Sequence, residues 1–308
     1  MRVIAVVGPT TAGKSHLAIE LARALDGEVV NADSMQLYRG MDIGTAKVTA
    51  AEREAAPHHL LDVWPVTRTA NAAEYQALAR AAMDDIAARG RVPILAGGSG
   101  LYVRAALDDL NFPRTDEVTR TRLESELSEV GAPALHARLA TLDPKAAVAI
   151  LPSNGRRIVR ALEVIELTGQ PFSATMPDYA KSRPAVQLGL TLPRPELDRR
   201  ITVRVDHMWV SGFEAEVRSL AAQGLRDGKT ASRALGYQQM LRYLDGDWTL
   251  DQAREETVQA TKRFARRQES WFRRDPRITW LDAAAEDGLL ARAVALARGG
   301  RRSAPDHS

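Results

Sequence analysis

The chain carries the stretch GPTTAGKS at residues 8–15, and this stretch decides the fold. Its spacing is that of a phosphate-binding loop: a glycine, four residues, and then Gly-Lys-Ser or Gly-Lys-Thr. The preceding run, Val3 to Val7, is apolar and rich in β-branched residues, which is typical of a buried parallel strand. After the loop, apolar residues such as Leu17 and Leu21 recur at helical spacing. Strand, glycine loop and helix therefore follow in the order that a phosphate-binding loop requires.

The residue types in this loop suit phosphate oxygens. Its glycines have no Cβ, so the backbone can come close to a ligand, and the N–H groups at the start of the helix supply donors. Lys14 adds a positive charge, and the Ser15 hydroxyl is a ligand for Mg²⁺. Nucleotide-binding and ATP-binding proteins share this pattern, so the loop leaves open whether phosphate is transferred, hydrolysed or released. The residues predicted to bind diphosphate or nucleotide are Gly8, Pro9, Thr10, Thr11, Ala12, Gly13, Lys14 and Ser15.

Length and composition restrict the class of protein. With 308 residues, the chain is long enough for one large domain or two unequal ones. A hydrophobic content of 45% and a charged content of 26% are typical of a soluble globular protein. The absence of cysteine suits a reducing cytosol, and no apolar run approaches the roughly 20 residues that span a bilayer. The net charge is only +3, so a polyanion would bind at clusters of arginine.

Two further segments are predicted to reach the same edge of the sheet. Residues 28–33 have the pattern of a strand that ends in Asp33, and residues 91–96 that of a strand that leads into a turn, residues 97–100, and a helix. In an open α/β sheet the carboxyl ends of parallel strands face the ligand crevice. We therefore predict an α/β fold with a P-loop NTPase-like parallel sheet and Asp33 beside the loop. A helix cap or an ordinary loop carboxylate is the alternative for Asp33.

The middle of the chain has a different pattern, of short and mostly polar helices. We predict a core of residues 1–111 and 185–300, a helical insertion of residues 112–184, and a disordered tail of residues 301–308. The insertion carries a cluster of arginines at residues 156–160, for which a solvated helix face is the alternative.

The last long helix, about residues 249–274, mixes cations with Phe264 and Trp271. That mixture suits RNA phosphates and exposed bases, although the rings alone are more typical of a core. The adjacent His58 and His59 do not predict a metal site without further ligands.

Several longer stretches resemble the tRNA dimethylallyltransferase (tRNA isopentenyltransferase) family, in its bacterial form, along nearly the whole chain. DSMQLYRGMDIGTAK from residue 33, with GGSGLY from residue 97, is far more specific than the loop. Val48 stands where the family often has proline, and no Cys/His finger follows. The other matching stretches are PHHLLD from residue 57, RRIVRALEV from residue 156, SGFEAEVRSL from residue 211, RALGYQQM from residue 233 and TKRFARRQESWFRR from residue 261.

The resemblance implies transfer of a dimethylallyl group from dimethylallyl diphosphate to N6 of the adenosine on the 3′ side of the tRNA anticodon. Diphosphate would leave, with Mg²⁺ as the cofactor on Ser15. Asp33 would orient the amine and accept its proton, and Thr10 would donate to the bridging oxygen. Arg218 matches a basic position at the diphosphate, with Arg233 as a second choice.

The resemblance also implies a partner, the anticodon stem-loop of tRNA, whose target base must leave its stack to react. We expect a cytoplasmic monomer with no membrane contact. The positions that match tRNA-contacting stretches are Asp33, Ser34, Met35, Gln36, Ser99, Arg156, Arg157, Ile158, Val159, Arg160, Arg233, Ala234, Leu235, Gly236, Tyr237 and Gln238, with Arg120 as a weaker candidate.

Two other functions stay open on the residues alone. A P-loop kinase of a nucleoside or small metabolite would use the same loop and Mg²⁺, but it gives no reason for the clustered arginines or for DSMQLYRG. A nucleotide-gated RNA-binding switch would explain the basic helices, but it would need affinity for ATP or GTP.

Overall fold

A computed structural model describes residues 2–175, 182–285 and 288–299. The chain divides into two compact units: the first consists of Met1–Leu107 with Arg183–Ser308, and the second is Asp108–Ser182. The predicted tail of residues 301–308 lies outside the described residues. In the part of the chain that is described, no helix combines the length and the apolar content that a membrane span needs.

The first unit is built on a parallel sheet that, within the described residues, has six strands. Its strands are β1 (Val3–Val7), β2 (Gly27–Asn31), β3 (His58–His59), β4 (Val92–Gly97), β5 (Ala185–Thr191) and β6 (Ile278–Asp282). Their spatial order is β3-β2-β4-β1-β5-β6, and all neighbours are parallel. The prediction of an α/β fold with a P-loop-type parallel sheet is confirmed.

Helices connect and cover these strands. The helices are α1 (Lys14–Leu25), α2 (Ala50–Ala55), α3 (Ala72–Ala88), α4 (Gly100–Leu107), α5 (Glu117–Leu142), α6 (Pro144–Ala149), α7 (Gly155–Thr168), α8 (Arg194–Val210), α9 (Phe213–Ala222), α10 (Tyr237–Leu244), α11 (Leu250–Phe272) and α12 (Leu289–Gly299). Short 3₁₀ helices occur at Phe172–Thr175, Leu225–Asp227 and Ala231–Arg233.

Each unit has its own hydrophobic core. In the first unit, side chains from β1, β4 and β5 pack with Leu17 and Leu21 of α1 and with Ile201 of α8. All five residues of β1 are buried because this strand lies between β4 and β5, which explains its unbroken apolar sequence. In the second unit, α5, α6 and α7 enclose a separate core. Helix α5 bends at Gly131, whose φ of 80° favours glycine.

The strand order brings three chain segments to one edge of the sheet. Strand β4 pairs with β1 on one side and with β2 on the other. Because all three strands are parallel, the residues that follow Val7, Asn31 and Gly97 emerge at the same edge. These residues are the phosphate-binding loop, Asp33 and the turn at residues 97–100, so the sheet explains why they meet.

Candidate active site

The phosphate-binding loop leads into α1 through backbone conformations that turn the start of this helix toward a ligand. Gly8 has φ 140°, and a Cβ there would lie 2.7 Å from the carbonyl oxygen of Leu190, so only glycine fits. Thr11 (φ 64°) and Gly13 (φ 93°) also have left-handed conformations. Gly13 caps α1, and in the described chain no side chain bonds to the N–H groups of the first turn. Those free donors and the helix dipole favour an anion at this position.

Lys14 is poised to add its charge to a bound anion. Its Nζ donates to the carbonyl oxygen of Pro9 at 2.7 Å, so the side chain lies back along the loop. Burial lowers the pKa of Lys14 to about 8; the carboxylate of Asp33 works against this shift, and the cation of Arg204 adds to it. An incoming diphosphate would therefore meet an amine whose charge depends on pH near neutrality.

Thr10 is held from two sides. Its backbone N–H donates to Oε1 of Gln268 at 2.9 Å, and its hydroxyl accepts from Nη1 of Arg204 at 3.0 Å. A guanidinium has no acceptor, so Thr10 Oγ1 is the acceptor in that bond. Within the described residues its own hydrogen has no acceptor and can be donated to a ligand. Burial lowers the pKa of Arg204, with Asp33 opposing the shift, but arginine stays charged in proteins.

Asp33 follows β2 and is fixed by its neighbours in the chain. Its N–H donates to Oδ1 of Asn31 at 2.9 Å, and its own Oδ1 accepts the N–H of Met35 at 2.9 Å. Within the described residues, no hydrogen bond reaches its Oδ2. Asp33 therefore combines the loop role expected of a turn carboxylate with a free oxygen at the wall of two cavities.

Two adjoining cavities share Thr10, Asp33 and Arg204. The first, about 80 Å³, is mostly polar and reaches Lys14 and Ser15 of the loop. The second, about 100 Å³, is mostly apolar, and its hydrophobic lining includes Met35, Ile201, Val205, Met208, Ala234, Leu235 and Phe264. A polar cavity at a phosphate loop next to an apolar one suits a molecule with a phosphate head and a short hydrocarbon group.

Several residues predicted to contact tRNA lie around these cavities. The N–H of Ser34 donates to Oγ of Ser99 at 3.2 Å, which joins the turn after β2 to the turn after β4. Gln36 lines the polar cavity and donates to the carbonyl of Thr45 at 3.2 Å. Gln238 is exposed, whereas Gly236 and Tyr237 are buried.

Tyr237 has a structural contact that the sequence did not indicate. Its hydroxyl donates to Oε1 of Glu216 at 2.5 Å. The same carboxylate accepts the backbone N–H groups of Asp42, Ile43 and Gly44, at distances from 2.7 to 3.2 Å. The pair therefore shapes the segment that brings Gly44 to the apolar cavity.

The structure does not bring Arg218 to the loop. Its side chain is exposed on α9 and lies 2.7 Å from Glu214, a hydrogen-bonded partner that raises its pKa. Arg218 is not among the residues that line the two cavities, and Arg233, the second choice, is also exposed. Arg204 occupies the position at the loop that Arg218 was expected to fill.

Sequence reasoning missed both Arg204 and Gln268. Each is a polar residue within the apolar stripe of an amphipathic helix: Arg204 lies among Ile201, Val205 and Met208, and Gln268 lies between Ala265 and Phe272. A polar residue at a buried position of such a stripe needs a specific partner. That conflict with the helical pattern is the feature that could have identified them.

The arginines of the second unit have different roles from one another. Glu163 is fully buried and accepts from Arg120 at 2.5 Å and from Arg160 at 2.8 Å. Arg160 also donates to the carbonyl of Pro113 at 2.7 Å. Burial alone would raise the pKa of Glu163, but the hydrogen bonds from the two arginines outweigh it and lower this pKa. Arg120 and Arg160 thus compensate a buried charge.

The other predicted tRNA-contacting residues of α7 are either buried or exposed. Ile158 and Val159 belong to the core of the second unit, so their side chains present no surface to a partner. Arg156 and Arg157 are exposed, and neither forms an ion pair within the described residues. These two are the cations of α7 that are available to a polyanion.

The side chains of the two adjacent histidines each have a partner within the chain. His59 Nε2 lies 2.6 Å from Oε2 of Glu28, and His58 Nδ1 lies 2.7 Å from the carbonyl oxygen of Ala56. Among the residues that the structure describes, no cluster of three or more His, Asp or Glu could hold a metal ion.

Comparison with known proteins identifies the family of this chain. The family model described as IPP transferase matches residues 36–275. The tRNA dimethylallyltransferase of Thermobifida fusca is 66% identical over 299 residues, which is 96% of this chain and 93% of that protein. The enzyme of the same name from Salinispora arenicola is 65% identical over 300 residues, covering 97% and 87% of the two chains.

Solved structures give the same result. A tRNA isopentenylpyrophosphate transferase from Bacillus halodurans is 41% identical with a TM-score of 0.67, covering 96% of this chain and 98% of that one. A eukaryotic dimethylallyltransferase, captured acting on tRNA, is 26% identical with a TM-score of 0.84, covering 99% and 81%. These relatives are prenyl-transferring enzymes, which favours prenyl transfer over the kinase alternative. On sequence, family model and fold together, this chain belongs to the IPP transferase family of tRNA dimethylallyltransferases.

Proposed function

We propose that this protein transfers a dimethylallyl group from dimethylallyl diphosphate to N6 of the tRNA adenosine on the 3′ side of the anticodon, releasing diphosphate. The observation that carries this proposal is the pair of cavities, one polar and one apolar, that share Thr10, Asp33 and Arg204. The names of the relatives support the donor and the acceptor class.

The loop side of the site would stabilise the leaving group. An allylic diphosphate ionises when the negative charge that builds up on its bridging oxygen is neutralised. The open N–H groups of α1, the Lys14 amine and the Arg204 guanidinium would supply that neutralising charge. The hydroxyl of Thr10 would donate a hydrogen bond to the bridging oxygen as the C–O bond breaks.

The other side of the site would activate the acceptor. An exocyclic adenine amine is a weak nucleophile, and it becomes acidic as its new bond to carbon forms. Asp33 would accept its proton on the free Oδ2. The apolar wall around Val205, Leu235 and Phe264 would hold the hydrocarbon group and keep water from the allylic carbon. The adenine reaches this position only when it is flipped out of its stack.

The hydroxyl group at the start of α1 fits a Mg²⁺ ion that would bind together with the diphosphate. Ser15 lies in the first turn of α1, and its hydroxyl oxygen would be the ligand that this chain offers to the ion. Mg²⁺, when bound, would neutralise charge on the diphosphate.

Exposed cations in each unit would bind the tRNA backbone. In the second unit these are Arg156 and Arg157, and in the first unit Arg233 and exposed arginines of α11 such as Arg266 and Arg267. Phosphate contacts of this kind set position and affinity rather than sequence preference. We further propose that the protein acts as a monomer in the cytoplasm.

Replacing Asp33 by asparagine tests the assignment of the site. Asparagine keeps an oxygen for the N–H of Met35, so the turn persists, but it cannot accept a proton. We expect the single-turnover rate of prenyl transfer to fall about 10²- to 10⁴-fold, with tRNA affinity changed by no more than a few-fold. A variant with a near wild-type rate would show that Asp33 is not the base.

A further inference from the structure

Gln268 connects the two glycine-containing turns of the site. Its side chain is buried; its amide oxygen accepts the N–H of Thr10 at 2.9 Å, and its amide nitrogen donates to the carbonyl of Gly98 at 2.9 Å. Thr10 belongs to the loop after β1, and Gly98 belongs to the turn after β4. One side chain of α11 therefore joins both.

The partners of this amide determine its orientation. A backbone N–H can only donate and a backbone carbonyl can only accept. Rotating the amide of Gln268 by 180° would set donor against donor at Thr10 and acceptor against acceptor at Gly98. The two bonds are therefore made together or lost together.

Gly98 is shaped for this contact. A Cβ on Gly98 would lie 2.3 Å from Nε2 of Gln268, closer than real Cβ contacts. Its φ lies outside the left-handed region that would call for glycine. The missing side chain at Gly98 thus serves the approach of Gln268.

The connection continues to the acceptor side of the site. Oγ of Ser99, the residue after Gly98, accepts the N–H of Ser34 at 3.2 Å. Ser34 follows Asp33 directly. Hydrogen bonds therefore run from Thr10 through Gln268 and the Gly98–Ser99 peptide to the residue next to Asp33.

We propose that Gln268 is a positioning residue that fixes Thr10 and the Asp33 turn relative to each other. The inference rests on the proposed prenyl transfer. In that reaction the C–O bond to diphosphate breaks, the C–N bond to N6 forms, and the N6 proton passes to Asp33. Thr10 faces the bond that breaks and Asp33 the amine, so an error of position at either group slows the reaction without removing a substrate contact. Gln268 acts through the backbone of Thr10 and Gly98.

The test is a double-mutant cycle of Gln268→Ala and Gly98→Ala. The first variant removes the amide, and the second keeps the amide but pushes it away. We expect kcat, at saturating donor and tRNA, to fall about 10- to 100-fold in each single variant, with the dissociation constants of both substrates within about threefold. Because both changes break one contact, the double variant should be no slower than the slower single variant.

A matched control separates positioning from stability. Gln252 lies on the same helix, and its Oε1 accepts the N–H of Thr249 at 2.8 Å in a helix cap. Gln252→Ala should lower the unfolding midpoint and leave kcat unchanged. The inference is overturned if Gln268→Ala keeps kcat within twofold of wild type, if its loss appears only in substrate affinity, or if the two single costs multiply. A wild-type enzyme that transfers no prenyl group would instead overturn the proposed function.

Discussion

Arg204 owes its importance to where α8 places it. The side chain reaches the phosphate loop and bonds to Thr10 Oγ1, while Ile201, Val205 and Met208 on the same helix line the apolar cavity. In the proposed reaction, a single helix face would therefore supply both the cation for the leaving group and the wall for the hydrocarbon. A cation in a partly desolvated site stabilises a nearby negative charge more strongly than a cation on the surface does.

The sequence predicts Arg218 as the arginine at the diphosphate, whereas the structure has Arg204 at the loop, and substitution of each arginine tests which one serves the reaction. Arg204→Met should lower kcat/KM for prenyl transfer about 100-fold, because the leaving group loses a charge and Thr10 loses a partner. Arg218→Met should stay within about twofold of wild type, since it removes surface contacts with Glu214 and Tyr243 that lie away from the loop. Steady-state kinetics with tRNA in excess measures both. Equal losses in the two variants would contradict the assignment of Arg204.

Lys14 makes binding of diphosphate depend on pH. Its pKa is lowered to about 8, so the unbound protein carries this charge below pH 8 and loses it as the pH rises through 8. At pH 9 about one tenth of the amine is protonated, so the Kd for inorganic diphosphate should weaken about tenfold from pH 7 to pH 9, relative to a variant whose charge does not titrate.

Lys14→Arg is that variant, because arginine stays charged across this range. Titration calorimetry at both pH values, with the same metal concentration, gives the ratio of the two affinities. A ratio that does not change between pH 7 and pH 9 would contradict the role of Lys14.

At the scale of elements, α7 combines a structural face with an exposed one. Arg160 and Arg120 neutralise the buried Glu163. Arg156 and Arg157 are exposed, and neither forms an ion pair with the described residues. The helical spacing of residues 156–160 predicted a common basic side, but it could not show that a buried carboxylate would occupy one of these arginines.

Replacing these arginines in separate groups tests that division. Arg156→Ala with Arg157→Ala should weaken tRNA binding and lower the slope of log K against log salt by roughly 1.5, with unchanged stability. Arg160→Gln should lower the free energy of unfolding by about 2 kcal/mol, because it removes a charged hydrogen bond from Glu163. Salt titrations of tRNA binding and urea unfolding measure the two effects.

Arg138→Ala is the control for these variants, since Arg138 is also in the second unit but pairs with Glu126 and Glu166. It should change the salt slope less than the pair on α7. A slope that the Arg156 and Arg157 changes leave intact would remove α7 from the interface.

The sequence predicts individual strands and helices better than it predicts which of their side chains come into contact. The β-branched run before the loop, the strand that ends near Asp33 and the strand before Gly97 are all present, because each combines an apolar run with a glycine or polar terminus. The two-residue strand His58–His59 is too short for any pattern to predict. The place of Arg204 and Gln268 depends on packing between helices distant in the chain, which local patterns do not contain.

At the scale of the whole molecule, sheet order brings the chemistry together. Because β4 lies between β1 and β2, the phosphate loop, Asp33 and the Gly98 turn emerge side by side although the sequence separates them widely. Helices α8 and α11 close this edge with Arg204 and Gln268. The site is therefore a property of the assembled first unit, which is why a match to the loop alone could not distinguish prenyl transfer from phosphoryl transfer.

The most direct test of the central claim is a labelling experiment with the whole protein. The protein is incubated with dimethylallyl diphosphate labelled in its hydrocarbon group, Mg²⁺ and unmodified tRNA, with AMP, ADP and ATP as acceptors in parallel reactions. Prenyl transfer to tRNA predicts label at the adenosine on the 3′ side of the anticodon, located by nuclease digestion. Label in the free nucleotides alone, or no label anywhere together with phosphate transfer from ATP, would contradict it.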